Sequence, residues 1–336
     1  MGGDHGLRSS LPAAVNSLQQ FPHLHIVLVG AAESIRLELA AHGLAFEQVS
    51  TRCTIVDAAE VVAADERPSS ALRYKTRSSM RIALDRLAAR EVDAVVSAGN
   101  TGALMAMGLV LLKTLPEIDR PAICAPIPTR GGSALLLDLG ANVDCSAEQL
   151  YQFAAMGAAL AGVEGIANPR VALLNIGEEQ GKGNEQVKRA AALLGAASQL
   201  NYRGFVEADK IFYDAADVVV CDGFTGNIAL KVCEGTAAFI ADKIRGGFLR
   251  TTATRLRGLL AKPVLQTLYA ELDPQRYNGA CLLGLRGVVV KSHGNSSVVG
   301  FQRAIGQAIA AVEQNLLDSI AQRLALHAEA DRRAQE

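Results

Sequence analysis

No stretch of the chain reaches the ~18 consecutive apolar residues that a bilayer-spanning helix needs. Charge of one sign is equally scarce: 33 Lys and Arg against 34 Asp and Glu leave a net charge of −1. That balance supplies no global attraction to nucleic acid or anionic lipid, so electrostatic recognition must be local. The six cysteines, at 53, 124, 145, 221, 233 and 281, form no C-x-x-C pair and no metal-ligand spacing with histidine. Reduced thiols in a cytoplasmic protein are the expectation. "MGGDHGLRSS" has no apolar h-region, so no secretory signal is expected there.

Standard catalytic motifs are missing too. There is no G-x-G-x-x-G after a strand, no H-E-x-x-H and no G-x-S-x-G elbow. Gly177 to Gly183 falls short of a phosphate-binding P-loop: the spacing is one residue too short, and no Ser or Thr follows Lys182. No Pro/Ser-rich linker or solenoid repeat breaks the chain, which predicts a single domain over residues 1–336.

What the chain does have, with half its residues apolar and a fifth charged, is one repeated phrase. A β-branched apolar run ends in a Gly/Asn/Asp/Thr loop, and an Ala-rich helical stretch follows. "VDAVVSAGNTG", "SALLLDLGANVDC", "RVALLNIGEEQGKG", "DVVVCDGFTGN" and "GVVVKSHGNSS" all read this way. Near-continuous apolar strands alternating with helices predict an α/β/α sandwich around a mostly parallel sheet. Residues 71–90 are expected as one helix with a basic start. Residues 244–276 are expected as a helical hairpin broken near Lys262-Pro263, and a single long helix is expected from near Val298.

In an open parallel sheet ligands bind beyond the carboxyl ends of the strands. The five loops are therefore expected at one edge, carrying Asn100, Thr101, Asp138, Asn142, Glu178, Lys182, Asn184, Asp222, Asn227, Lys291 and His293. Glycines there, among them Gly99, Gly102, Gly181, Gly183 and Gly223, let backbone N–H groups approach a ligand. A phosphate-sized anion site follows, because several loops also open helices. For Asn142, Asn184 and Asn227, helix capping or an Asx-turn is the competing role. For His293 it is a hydrogen bond to its own backbone. Lys182 stands out, since a surface lysine needs no flanking glycines. Cys145 and Cys221 read either as acyl-carrying nucleophiles or as small buried side chains, with no histidine near them in sequence.

"MGGDHG", "ALRYKTRSSMRIALD", "VSAGNTGALMA", "LLDLGANVDC", "LLNIGEEQGKGNE", "VVVCDGFTGN", "YNGACLLGLRG" and "VVVKSHG" together resemble the bacterial phosphate acyltransferases of phospholipid synthesis. The resemblance covers essentially the whole chain. It implies a Rossmann-like fold related to phosphotransacetylases and to isocitrate and isopropylmalate dehydrogenases, working as a homodimer without cofactor or metal. The implied reaction moves an acyl group from acyl carrier protein to inorganic phosphate. A membrane glycerol-3-phosphate acyltransferase then uses the acyl phosphate. Phosphate needs no activated serine or cysteine, so the expected work is positioning and oxyanion stabilisation. Lys182, Asn184, Asn227 and His293 are the expected catalytic groups; Glu178 and Glu179 are expected to orient Lys182 or brace neighbouring loops, and the other loop residues named are expected to bind substrate.

Arg73, Lys75, Arg77 and Arg81 are expected to meet the acidic carrier protein, unless they form only a solvated helix face. Leu256, Leu259, Leu260 and Val264 are expected at an anionic membrane surface or in a dimer interface, making the protein cytoplasmic and peripherally membrane-associated. No nucleic-acid partner is expected. Members of that family carry a short strand before the M-G-G-D-H-G loop, and Leu7 stands where they have proline. A decarboxylating dehydrogenase of related fold and a non-catalytic membrane scaffold are the rival readings.

Overall fold

A computed structural model describes residues 2–41, 50–272 and 274–335. Met1, Asp273 and Glu336, which fall within the predicted loop, hairpin and domain, lie outside the described residues.

The five predicted strand–loop–helix phrases are all present. β1 (Ile26–Gly30) pairs in parallel with β2 (Cys53–Asp57), and these two form a small sheet. The main sheet has eight strands in the order β3-β10-β9-β4-β5-β8-β6-β7. β3 (Ala94–Ser97) and β10 (Val288–Lys291) are parallel. β9 (Ala280–Leu283) is antiparallel to β10 and to β4 (Ala122–Thr129), and β4 is antiparallel to β5 (Gly132–Leu137). β5, β8 (Val218–Val220), β6 (Arg170–Leu174) and β7 (Asn201–Val206) then run parallel to one another.

Three antiparallel joints in succession reverse the sheet. β5, β8, β6 and β7 run opposite to β3 and β10, so their carboxyl ends leave opposite edges. The expectation that all five loops share one edge is corrected accordingly.

Successive strand residues face opposite layers, as the two-residue period requires. Leu135 and Leu137 pack with α6 (Ala147–Val163), α10 (Val298–Glu313) and α11 (Leu316–Gln335) on one face. Leu136 and Val219 face the other side with Ile123 and Cys221. Over the β3–β10–β9 half, that second face is covered by α3 (Pro68–Tyr74), α4 (Ser79–Ala88) and α5 (Thr101–Leu112).

Three helical expectations change. The predicted helix at 71–90 is two helices, because Lys75 leaves helical geometry (φ −99°, ψ 49°) and Ser78 caps α4 by accepting from the Arg81 amide at 3.3 Å. The predicted C-terminal helix is likewise two, divided where Asn315 takes a left-handed φ of 51°. The hairpin consists of α8 (Gly223–Leu249) and α9 (Thr252–Leu272), so its turn lies at Arg250–Thr251 and not at Lys262-Pro263. Reciprocal amide-to-hydroxyl bonds between Thr251 and Thr254 start α9, and Pro263 lies inside that helix.

Among the described residues, β1 and β3 each leave one edge unpaired, and both line a single cavity of about 530 Å³. Gly2, Leu11, Phe301 and Ile305 complete its wall.

Candidate active site

β5, β8 and β6 are adjacent, so the loops after Leu137, Val220 and Leu174 meet at one edge. Each opens a helix: α6 behind Ser146, α8 behind Asp222, and α7 (Glu185–Ala196) behind Asn184. Ser146 and Gln149 form a capping box. Asn184 accepts from the Val187 amide at 2.9 Å, and Asp222 accepts from the Thr225 amide at 2.8 Å and the Thr225 hydroxyl at 2.9 Å. Capping therefore occupies the side-chain oxygens of Asn184 and Asp222. Three helices thus begin at this edge, and helix N-termini favour anions, although the Ala147 amide already donates to Gln186 Oε1 at 3.1 Å and the Gly223 amide to the Asn142 carbonyl at 2.7 Å.

Asp138 is fully buried and does not face that space. Its carboxylate accepts from the amides of Ile123, Ala141 and Asn142 at 2.9, 3.1 and 2.7 Å, and from Asn142 Nδ2 at 3.0 Å. Burial pushes its pKa up, and these donors oppose the shift. Asn142 also donates to the Pro121 carbonyl at 2.8 Å. Both residues hold the loop in shape. The loop they hold presents Gly140, whose Cβ position would be 3.5 Å from Asn227. Asn227 itself is half-buried in the first turns of α8.

The loop after β6 is closed by Asn175, which donates to the carbonyls of Gly177 at 3.0 Å and Lys182 at 3.2 Å. Gly183 adopts φ +95° against the Asn175 side chain, so this position requires glycine; Gly181 has open space around it. Lys182 is exposed, its chain passes over Gly177, and it makes no ion pair among the described residues. Glu178 and Glu179 are exposed beside it and do not pair with it.

At the opposite edge, the ends of β3 and β10 carry the second half of the predicted set. Asn100 caps α5 through the Ala103 amide at 2.9 Å and clamps the carbonyls of Ala64 and Glu66, each at 2.9 Å. Thr101 and Gly102 are exposed in that first turn, and Gly102 lies against Pro68. His293 is exposed; its backbone amide donates to Asn278 Oδ1 at 2.8 Å. Lys291 is 9% exposed, and its ammonium donates to the Ser292 carbonyl. Burial pushes its pKa down to about 8, while Asp4 opposes that shift.

Residues 2–4 lie across these strand ends: the Asp4 amide donates to the Gly294 carbonyl at 2.7 Å, and Gly2 packs on Gly99. Sequence reasoning missed Asp4 and also Asn278, which ties Ser292, Ser296 and Gly300 together. The "YNGA" loop was the available signal for Asn278.

Met80, in the first turn of α4, touches Gly99, which brings the basic segment to this same edge. Arg73 stacks on Tyr74 and Arg81 pairs with Asp85, leaving Lys75 and Arg77 without an ion pair among the described residues. Burial pushes the Cys145 thiol up to about 12 and Cys221 well above its ordinary value. Both shifts disfavour the thiolate, which favours reading these cysteines as inert side chains. Leu256, Leu259, Leu260 and Val264 are all exposed on α9. No described helix is long and apolar enough to cross a membrane.

The family described as "Fatty acid synthesis protein" matches residues 1–319. A phosphate acyltransferase from Pseudomonas syringae pv. syringae (strain B728a) is 55% identical over 325 residues, covering 96% of this chain and 94% of that one. One from Legionella pneumophila (strain Paris) is 50% identical over 321 residues, covering 95% and 93%. Among solved structures, a phosphotransacetylase from Streptococcus pyogenes superposes with a TM-score of 0.62 at 18% identity, covering 91% of each chain. One from Staphylococcus aureus gives 0.52 at 15% identity, covering 89% and 98%. At such identities these two speak for the fold alone, and they bear out the Rossmann-like sandwich.

Proposed function

Because the chain belongs to the phosphate acyltransferase family, we propose that the β5–β8–β6 edge transfers an acyl group from an acyl carrier thioester to inorganic phosphate. The observation that carries this reading is that the loops after β5, β8 and β6 leave one sheet edge, and one of them presents Lys182, an exposed cation without a protein counter-ion among the described residues.

A phosphate oxygen attacks the thioester carbonyl carbon, the tetrahedral oxyanion collapses, and the carrier thiolate leaves. Phosphate is already a nucleophile at neutral pH, so the residues' task is to bind and orient it. Lys182 holds the attacking phosphate, and loop amides join it. Asn227 supplies an amide donor to the developing oxyanion, the kind of preorganised contact that matters most in the transition state.

The acidic carrier protein docks against Lys75 and Arg77, beside the β3–β10 edge. The protein acts as a homodimer in the cytoplasm. The α8–α9 hairpin rests on anionic membrane through Leu259 and its exposed neighbours, beside the glycerol-3-phosphate acyltransferase that consumes the product. A nicotinamide-dependent dehydrogenase reading finds no support in the family match.

The deciding experiment is incubation of the purified protein with palmitoyl-carrier protein and phosphate, followed by mass analysis. Acyl phosphate should accumulate in step with free carrier. Thioester loss that gives only fatty acid, or no loss at all, would reject the assignment.

A further inference from the structure

Lys291 is nine-tenths buried at the end of β10, yet no carboxylate lies within ion-pair distance of it among the described residues. Its ammonium makes one hydrogen bond, to the Ser292 carbonyl, and an ammonium has three donors. Burying a charge without a partner is costly, and a bound anion would recover that cost. The surroundings suit close approach by such a group: Gly2, Gly3, Gly99 and Gly294 surround the strand ends, and Asp4 is the nearby acid.

The strand register places this cation at a definite distance from the proposed reaction edge. Lys291 is level with Ala280; the next residue, Cys281, is opposite Cys124, which is opposite Leu137. Asp138 thus lies two residues lower and three strands across, so the two backbones are roughly 16 Å apart. A phosphopantetheine arm has about 13 bonds between phosphorus and sulfur, and spans roughly 14–16 Å when extended as a peptide extends.

Resting on the acyl-carrier reading above, we infer that Lys291 binds the phosphoryl group of the donor's phosphopantetheine arm, while its thioester reaches the Gly140–Asn227 side of the reaction edge. The nucleophilic phosphate is held elsewhere, at Lys182. Lys75 and Arg77 lie by the Lys291 edge, which is where the carrier protein must sit if its arm enters there.

The test compares acyl-phosphopantetheine with acyl-pantetheine as donors in the wild type, Lys291→Met and Lys291→Arg. The wild type should prefer the phosphorylated donor by about tenfold or more in kcat/KM, as charge-assisted contacts allow. Lys291→Met should bring that ratio near one, and Lys291→Arg should restore part of it. A ratio unchanged in Lys291→Met overturns the inference. So does a raised KM for inorganic phosphate with the donor ratio intact, because Lys291 would then serve the nucleophile. Calorimetric titration with 4′-phosphopantetheine decides the matter even if no donor turns over: equal affinity in wild type and a folded Lys291→Met protein contradicts the site, and a loss of about tenfold supports it.

Discussion

The amide of Gly223 donates to the carbonyl of Asn142 at 2.7 Å, joining the start of α8 to the loop after β5. A side chain at 223 would meet that carbonyl and come within 2.8 Å of Asp138 Oδ2. The same contact sets Asn227 against Gly140, so loop shape and donor position depend on one packing arrangement.

Gly223→Ala should therefore cost about 1–3 kcal/mol of stability, the usual range for overpacking, and lower turnover as well. Urea unfolding with parallel activity measurements checks this. An alanine variant with parental stability would mean that the α8 start and the loop after β5 have room for a Cβ at 223.

Lys291 gives a stability prediction with a definite sign. Its folded pKa is near 8, below the ordinary 10.5. Between those values the unfolded chain binds a proton that the folded chain has released, so this group's contribution rises with pH across that window. The advantage of Lys291→Met over wild type should accordingly be largest below pH 8 and shrink toward pH 10.5. The full change is on the order of 3 kcal/mol. A gap constant from pH 7 to pH 10 would show that burial does not depress this lysine.

The five phrases were legible because strand and helix periods differ and each glycine-rich loop marks a strand exit. The direction of the sheet was not. An apolar run such as "ACLL" reads the same in either direction, and the reversal comes from three antiparallel joints. Two of these had a local signal: Arg130-Gly131 turns β4 into β5, and the Gly284–Gly287 stretch turns β9 into β10. Short glycine-bearing connections between apolar runs indicate hairpins. Lys182 was legible from its glycines, although only Gly183 proves to need that freedom. The structural role of Asp138 was not legible, because its amide partner Ile123 comes from a strand 15 residues earlier in the chain.

The cavity between β1 and β3 carries its own prediction. Both strands line it along most of their length, with an edge on each that is unpaired among the described residues. Joining about eight residues of strand-forming sequence ahead of residue 2 should raise the melting temperature, since a parallel strand there gains two ladders and apolar cover. Identical melting temperature and turnover with and without the added strand would show that the cavity does not accept one.

The hairpin can be tested apart from the chemistry. Leu259 and Leu260 are 66% and 80% exposed, midway along α9 and away from the turn. Each nearby basic residue adds roughly 1 kcal/mol at an anionic surface, so shallow insertion of these leucines suffices for reversible docking. Leu259→Glu with Leu260→Glu should reduce sedimentation with anionic liposomes while dimerisation and soluble turnover persist. A monomeric double mutant would place these leucines in a subunit interface instead, and undiminished liposome binding would remove them from the docking surface.

The proposed chemistry depends most on Lys182 holding the reacting phosphate. Steady-state turnover of Lys182→Ala, measured against inorganic phosphate with saturating acyl carrier, tests it most directly. The variant should fold with parental melting temperature and show turnover lowered on the order of 100-fold or more, as loss of a preorganised electrostatic donor typically gives. Near-normal turnover in that folded variant would contradict it.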